Sequence, residues 1–385
     1  MRIIKFIGIL FFSIPYSLFT FSQPDSCQLR VSLLTCSAGE ELYSTWGHTA
    51  IRVTDSTGQT DMVFNYGTFD DSDPDFYTKF TRGLMIYALS AYPFSDFVEE
   101  YRSQGRGVIE QTLLLSCEER TRLFNALRLN AQNENRFYEY YFSTDNCTTR
   151  AKDMIVKNSG DAITFKAFLS SPPPSFRNLS HVYLDKNSQP WSKLGIDILL
   201  GSNLDKKVST EQSMFLPDYL MKGFENADIN GHSIVTETKT ILNAPDQSIE
   251  RSNVLTPFII FSLFALIVLV LSFLKNAVIK NILNAFDMLF FMALGLLGIL
   301  LLTLWIIRID DVCRNNFNLL WALPTHLPLA VVMLRNRKWI RSYFKIVILL
   351  TAATAAAWWL IPQQLNTAIA PLLAIILFRA WQRSK

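Results

Sequence analysis

The feature that most constrains the fold is a set of long apolar runs in the last third of the chain. Five runs follow residue 252, namely Val254–Leu274, Ala285–Ile307, Phe317–Leu334, Phe344–Ile361 and Thr367–Ala380. A helix rises about 1.5 Å per residue, so the first two runs are long enough to cross a hydrocarbon core of about 30 Å. The sequence therefore predicts an all-α bundle of about five transmembrane helices in residues 251–385, of which the last is short.

The positive charges of this region predict its orientation. If all five runs cross the membrane, the Lys and Arg residues fall mostly on one side. That side carries Lys275, Lys280, Arg335, Arg337, Lys338, Arg341, Lys345, Arg379, Arg383 and Lys385, whereas the other carries Arg251, Arg308 and Arg314. Because cytoplasmic loops carry the excess of Lys and Arg, residues 23–250 are expected outside the cytoplasm and the C-terminus inside it.

The N-terminus carries an independent signal for export. Arg2 and Lys5 precede an apolar stretch from Ile7 to Phe21, and Ser22 is a plausible cleavage point. This arrangement is typical of a signal peptide over residues 1–22, the alternative being an uncleaved anchor helix. We therefore predict a multi-pass membrane protein whose residues 23–250 lie outside the cytoplasm.

Charge and motifs exclude several function classes. Residues 23–250 contain 21 Lys and Arg against 30 Asp and Glu, whereas residues 251–385 contain 13 against 3. The exported part lacks the basic patch that nucleic-acid binding requires, so no nucleic-acid partner is expected. The sequence has no HExxH, no CxxC, no clustered His and no Gly-rich phosphate loop. We therefore expect neither a metal site nor a cofactor.

The exported part has segregated strand and helix patterns, which favours an α+β fold. Strands are predicted at 29–35, His48–Thr54, Asp61–Tyr66, Val108–Leu115 and Phe137–Phe142, the second and third forming a hairpin. Helices are predicted at Pro74–Met85, Pro93–Ser103, Cys117–Asn130 and Asn146–Lys157. The Pro-rich stretch Ser170–Ser175 divides a domain of residues 23–175 from an extension or linker of residues 176–250, which has weak periodicity.

One cysteine and one histidine stand out as candidate catalytic residues. The five cysteines are an odd number, so at least one thiol of an exported chain is unpaired within the chain. Cys147 is predicted in the first turn of a helix, after the N-cap candidate Asp145, where the helix dipole favours a thiolate. His48 opens a strand after Gly47. Together they would form an activated nucleophile, with helix-end amides available for an oxyanion.

A third group should orient the imidazole ring of His48. Asn65 on the following strand is our candidate, because its amide oxygen can accept a hydrogen bond from the ring. Tyr66 is the second choice. Successive strand residues face opposite ways, so only one of the two can serve. Asn65 as an ordinary turn residue is an equal alternative.

Other reactive or polar residues are read as structural. Cys36 is the rival nucleophile, but it precedes His48 by only 12 residues, so we expect it in the core or paired with Cys27. His181 is expected at the surface, although it could reach the site from the unassigned extension. His232 is expected in a loop. In the membrane region, His326 could be functional or interfacial. Asp287 could face a polar cavity or the lipid headgroups, and we favour the headgroups.

Several stretches around these residues resemble a known family. They are LLTCSAGEELYSTWGHTAIRV, FNYGTFD, DFYTKFTRGLMIYAL, RGVIEQTLLL and FSTDNCTTR. They are similar to the Lnb-type lipoprotein N-acyltransferase family of Bacteroidota over most of residues 29–160, and the order of signal, periplasmic domain and membrane helices agrees. The His strand before the Cys helix also resembles the circularly permuted papain-like enzymes, so the resemblance implies that fold for the periplasmic domain.

The resemblance implies an acyltransferase of the bacterial inner (cytoplasmic) membrane that has its catalytic domain in the periplasm and acts through a Cys thioester. An acyl chain would pass from a phospholipid to Cys147, and then to the N-terminal amine of a diacylglyceryl-cysteine lipoprotein. On this hypothesis Cys147 is the nucleophile and His48 is the base and then the acid. Two alternatives remain open: a membrane-anchored cysteine peptidase or amidase acting on cell-wall peptides, and a non-enzymatic protein whose papain-like domain only binds.

Overall fold

An antiparallel sheet forms the centre of the N-terminal domain. The computed structural model describes residues 28–69, 74–160, 162–244, 255–335 and 337–385. The predicted signal peptide and Cys27 lie outside these ranges. The strands are β1 (Leu29–Cys36), β2 (His48–Asp55), β3 (Asp61–Phe69), β4 (Met85–Pro93), β5 (Val108–Leu113), β6 (Phe137–Tyr140), β7 (Thr164–Phe165), β8 (Ala227–Ile229), β9 (His232–Ser233) and β10 (Val235–Leu242). Seven of them form one sheet in the order β10-β5-β1-β2-β3-β4-β6, and β7, β8 and β9 form a second.

The helices of this domain cover both faces of the large sheet. They are α1 (Phe76–Arg82), α2 (Phe94–Ser103), α3 (Cys117–Asn130) and α4 (Cys147–Asn158). Leu33 faces the core shared with α3 and α4, whereas its neighbour Leu34 faces the core shared with α2. Side chains of a strand alternate between the two faces, so one apolar strand serves both cores. The mixed sheet-and-helix domain predicted from the segregated pattern is confirmed.

Strand β4 was not predicted from the sequence. It pairs with β3 on one side and with β6 on the other, so it extends the sheet beyond the predicted hairpin. The helix predicted at Pro74–Met85 ends early, at Arg82, because Gly83 takes the left-handed conformation with φ of 74°. Such a glycine is a common helix stop. It leaves the following residues free to pair as a strand.

Residues of the predicted extension form four helices and the edge strand of the large sheet. The helices are α5 (Phe176–Lys186), α6 (Pro190–Leu199), α7 (Thr210–Ser213) and α8 (Pro217–Glu225). Strand β10 pairs with β5. Leu220 and Phe224 of α8 are buried in the same core as α3 and α4. These residues therefore complete the core that holds α4.

The C-terminal region is helical. Its helices are α9 (Pro257–Phe273), α10 (Ala277–Ile307), α11 (His326–Val332), α12 (Lys338–Ala356) and α13 (Ile369–Ser384). Among the described residues, α10 and α12 are long and apolar enough to cross a membrane, and α9 is a shorter apolar helix. Large apolar side chains of α9 such as Leu263 and Ile267 are more than half exposed, as expected of a surface that faces lipid.

Two expectations about the membrane region are wrong. The run Phe317–Leu334 is not one helix: a 3-10 turn (Phe317–Leu320) is separated from α11, because Pro324 has no backbone N–H to continue a helix. The side chain of Asp287 does not face the headgroups, which was the favoured expectation. It is fully buried and forms ion pairs with Arg379 and Arg383 of α13.

The loop after α10 joins the helical region to the N-terminal domain. Arg308 donates to the carbonyl of Phe80 at 2.8 Å, and the amide of Ile309 donates to the carbonyl of Arg82 at 3.1 Å. On the other side of the loop, the amide of Gly201 donates to the carbonyl of Val312 at 2.8 Å. The loop thus lies between α1 and the helices of the extension.

A buried polar cluster makes a second junction with the helical region. Asp197 of α6 accepts hydrogen bonds from Arg177 and His181 of α5 and from Asn366, which precedes α13. All three distances are 2.8 to 2.9 Å. A buried carboxylate needs such partners, since an unpaired charge in the interior is costly. His181 therefore has a structural place in this cluster, and the surface position expected for it is wrong.

Candidate active site

Cys147 is the first residue of α4, and its neighbour Asn146 fixes this helix start. The side-chain oxygen of Asn146 accepts from the amides of Thr148 and Thr149, both at 2.9 Å. Asn146 is therefore the N-cap, whereas the predicted cap Asp145 instead forms an ion pair with Arg150. The capping box holds the thiol in the first turn, where the positive end of the helix dipole favours a thiolate.

His48 lies at the start of β2, beside the Cys147 thiol. The imidazole and the thiol are close enough for each to shift the pKa of the other. On its far side, Nε2 of the ring is 2.6 Å from Oδ1 of Asn65. The amide nitrogen of Asn65 donates to the hydroxyl of Tyr92 at 2.9 Å, which fixes the amide with its oxygen toward His48. The ring therefore donates from Nε2, and Nδ1 is the nitrogen available to the thiol.

Asn65, and not Tyr66, is the residue that contacts the imidazole ring. Tyr66 is buried on the opposite face of β3, where its hydroxyl donates to Asn130 of α3 at 2.5 Å. The alternation of side chains along β3 separates the two residues. The structure thus brings together Cys147, His48 and Asn65, the three residues singled out in the sequence.

Gly67 makes room for the imidazole ring. A Cβ atom on Gly67 would lie 2.7 Å from Cε1 of His48, a distance that real Cβ contacts do not show. Residue 67 also has a positive φ of 156° beside a register shift between β3 and β4. A bulge of this kind next to a site redirects side chains. The sequence signal for this contact is a Gly two residues after Asn65, directly beyond the predicted strand.

The electrostatics of the pair favour an ionised thiol. Burial alone would raise the pKa of Cys147, but the charge and hydrogen bond of His48 outweigh burial and lower the pKa to about 7. Burial would likewise lower the pKa of His48, but the Cys147 thiolate and the hydrogen bonds to Cys147 and Asn65 raise it above its ordinary value. Each group thus stabilises the charged form of the other.

The other cysteines and histidines considered as candidates either lie away from Cys147 or have unreactive side chains. Cys36 is a free, fully buried thiol, and burial raises its pKa to about 12. Its expected place in the core is therefore confirmed, and the alternative of a disulfide with Cys27 is wrong. Cys117 is disulfide-bonded. His232 is exposed in β9. His326 is buried in the helical region, where its ring is 2.9 Å from the Tyr343 hydroxyl.

A small cleft of about 90 Å³ opens at the thiol. Its walls are mainly aromatic, contributed by Tyr43, Trp46, Phe69, Tyr87, Tyr140, Phe142 and Phe215. Phe215 and Pro217 come from the extension, and the carbonyl of Phe215 accepts from the side chain of Asn146 at 2.9 Å. The weak periodicity of residues 176–250 gave no signal for this contribution. The extension therefore supplies one wall of the cleft and supports the cap beneath Cys147.

Two N–H groups of residues that line this cleft have no hydrogen-bond partner among the described residues. The side-chain oxygen of Asn146 accepts hydrogen bonds from the amides of Thr148 and Thr149 but not from the amide of Cys147. The indole nitrogen of Trp46, which lines the same cleft, is also buried without a partner. Donors of this kind can stabilise negative charge on a carbonyl oxygen. In the described part of the chain, no group of His, Cys, Asp and Glu could hold a metal ion.

Two family models match the chain. Residues 20–180 match the Lnb N-terminal periplasmic domain, and residues 249–384 match the Lnb transmembrane domain. The fold and these matches define a membrane protein with an N-terminal periplasmic domain. The chain belongs to the Lnb family. Membership indicates a membrane enzyme that modifies lipoproteins. Searches of curated proteins and of solved structures gave no significant match.

Proposed function

We propose that this protein is a cysteine-dependent lipoprotein N-acyltransferase. The observation that carries the proposal is the arrangement of Cys147, His48 and Asn65, in which His48 lies between the other two at an aromatic cleft. The chain in which this arrangement occurs belongs to the Lnb family. In the proposed enzyme Cys147 is the nucleophile, His48 is the general base and acid, and Asn65 orients the ring. The strand with His48 precedes the helix with Cys147, which is the order of a circularly permuted papain-like fold.

The first half-reaction would form a thioester. The Cys147 thiolate attacks the carbonyl carbon of a phospholipid acyl ester, and the ester C–O bond breaks. Protonated His48 gives its proton to the departing alkoxide, so that a lysophospholipid leaves with a free hydroxyl. The negative oxygen of the intermediate would accept from the Cys147 amide and the Trp46 indole N–H.

The second half-reaction would return the enzyme to its starting state. The α-amino group of a diacylglyceryl-cysteine attacks the thioester carbonyl, and the C–S bond breaks. Neutral His48 takes the proton that the attacking nitrogen loses, so the products are an amide and the thiolate–imidazolium pair. Hydrolysis would compete with this step. The aromatic side chains that line the cleft surround the thiol with apolar surface, which supports transfer to an amine rather than to water.

A neighbouring cleft offers a route for lipid. It has a volume of about 320 Å³ and shares Phe69 and Tyr87 with the cleft at the thiol. Leu84, Met85 and Phe137 give it apolar walls. It lies beside the turn after α1, which contacts the loop at the end of α10. We propose that acyl chains reach Cys147 from the outer leaflet along this side, because both substrates are held in the membrane.

We also propose five membrane crossings and a cytoplasmic C-terminus. The loop after α10 contacts the periplasmic domain, and so does the segment that precedes α13, through Asn366. These two segments are separated by the 3-10 turn, α11 and α12. The excess of Lys and Arg between and beyond these segments supports the same arrangement.

The direct test is to trap the thioester. Purified full-length protein is incubated with phospholipid in the absence of an acceptor lipoprotein, quenched in acid and digested. We expect the peptide that contains Cys147 to carry a fatty acyl group, because the first half-reaction needs no acceptor. Brief treatment with neutral hydroxylamine should remove the acyl group. Mass spectrometry of the peptide measures both states.

The peptides that contain Cys36 and Cys313 are the internal controls and should stay unmodified. An unmodified Cys147 in a preparation that still acylates added lipoprotein would contradict the proposal. Cleavage of a cell-wall peptide by the same preparation, with no acyl group on Cys147, would instead support the peptidase or amidase alternative. The N-terminal mass of lipoproteins from cells that lack this protein gives an independent readout.

Asn65 provides a smaller, graded test. In Asn65→Ala the ring of His48 loses its 2.6 Å partner and can rotate away from the thiol. We expect kcat to fall about 10- to 100-fold, less than removal of an acid or base costs, while binding of the lipoprotein changes little. Asn65→Asp should restore part of kcat, since a carboxylate can also accept from Nε2. Tyr66→Phe is the matched control, and a loss equal to that of Asn65→Ala would contradict the assignment.

A further inference from the structure

A second polar cleft lies at the far end of the helical bundle from the catalytic domain. It has a volume of about 500 Å³ and is enclosed by the end of α9, the start of α10 and the end of α13. Helix α10 has 31 residues and therefore spans about 46 Å, more than a hydrocarbon core of about 30 Å. Its other end contacts the periplasmic domain through Arg308. The cleft is thus on the cytoplasmic side of the membrane.

The cleft is built around a buried ion-pair cluster with an excess of positive charge. Nε and Nη2 of Arg379 donate to the two carboxylate oxygens of Asp287 at 2.6 and 2.8 Å, and Nε of Arg383 donates to the same carboxylate at 2.7 Å. Arg379 also donates to Ser272 of α9. One carboxylate therefore faces two guanidinium groups, and the cluster joins all three helices.

Two further cations border the same space. Lys275 and Lys280 line the cleft together with Arg379 and Arg383, and no Asp or Glu is among the described residues that line it. Both lysines are exposed. Helix α10 begins at the cleft, so its positive end adds to the field. Leu274 and Leu283 supply apolar wall to the same cleft.

We propose that this cleft binds the phosphate group of an anionic phospholipid of the cytoplasmic leaflet. The two lysines and two arginines outnumber the single carboxylate of Asp287, and this excess of positive charge favours binding of an anion. The volume is in the range of small-molecule sites, and the apolar wall suits the glycerol and the first methylenes of a lipid. Basic pockets between transmembrane helices on this side are suited to such headgroups. The site is separate from Cys147, and the proposal does not depend on the chemistry proposed there.

The test compares lipid binding by charge variants of the full-length protein. Detergent-solubilised protein is titrated with phosphatidylglycerol, and the bound fraction is measured by native mass spectrometry. We expect Lys275→Gln/Lys280→Gln to weaken binding about 25-fold, at roughly fivefold per lysine. Lys338→Gln/Lys345→Gln removes two exposed lysines of α12 that do not line the cleft, and this control should change binding less than twofold.

Two competitors identify the source of the phosphate. Phosphatidylglycerol should remain bound in excess inorganic phosphate, and it should bind more tightly than zwitterionic phosphatidylethanolamine. Displacement by inorganic phosphate would assign the cleft to a soluble anion and overturn the lipid proposal. Equal binding by the wild type and Lys275→Gln/Lys280→Gln would overturn it as well, since lipid held at the catalytic cleft does not respond to these lysines.

Discussion

Cys147→Ala is expected to abolish transfer of the acyl chain, with a loss of about 10⁴-fold or more in rate. The variant removes the atom that would hold the acyl group, so neither half-reaction can proceed through a covalent intermediate. Cys147→Ser should be nearly as inactive, because a serine hydroxyl at this place lacks the depressed pKa of about 7 that the thiol reaches. Complementation of a deletion strain and the mass of lipoprotein N-termini measure the loss.

The controls separate lost chemistry from lost structure. Cys313→Ala removes another free thiol, which is buried in the loop after α10 and does not line the cleft at Cys147. It should complement fully. Cys147 is only partly buried, and neither change to it disturbs the cap formed by Asn146, so both variants should reach normal levels in the membrane. A Cys147→Ala variant that still restores N-acylated lipoproteins would rule out the thioester route.

Sequence reasoning identified the residues that meet at the centre of the candidate site, because local rules determine their positions. A thiol after a capping residue and a histidine at a strand start each have a position that nearest neighbours set. The cap itself was assigned to the wrong residue, since Asp145 and Asn146 both suit that role. Only the structure shows that Asp145 is engaged by Arg150.

The parts that sequence reasoning missed depend on long-range contacts. Strand β4 is recognisable only through its pairing with β3 and β6. Phe215 and Pro217 lie about seventy residues beyond Cys147, and no periodicity connects them to it. The burial of Asp287 required knowing that α13 returns beside α10 with Arg379 facing it. Topology, rather than propensity, decides such contacts.

His48→Gln is expected to raise the pKa of Cys147 and to lower activity about 10³-fold or more. The charge of His48 is the main influence that offsets burial at the thiol, so without it burial should raise the thiol pKa above the ordinary value of about 9. At pH 7 the wild-type thiol is about half ionised, whereas the variant should be ionised by at most about 1%. Loss of the proton carrier adds to the defect.

Alkylation of the folded protein by iodoacetamide measures this change without any lipid substrate. The rate at Cys147 should rise with pH to a midpoint near 7 in the wild type, and the midpoint should move above 9 in His48→Gln. His232→Gln, at an exposed position in β9, should leave the midpoint near 7. Cys36 should not react in either protein, because it is fully buried and its pKa is about 12. An unchanged midpoint in His48→Gln would mean that the helix start alone ionises the thiol, and the role of His48 would then be confined to proton transfer.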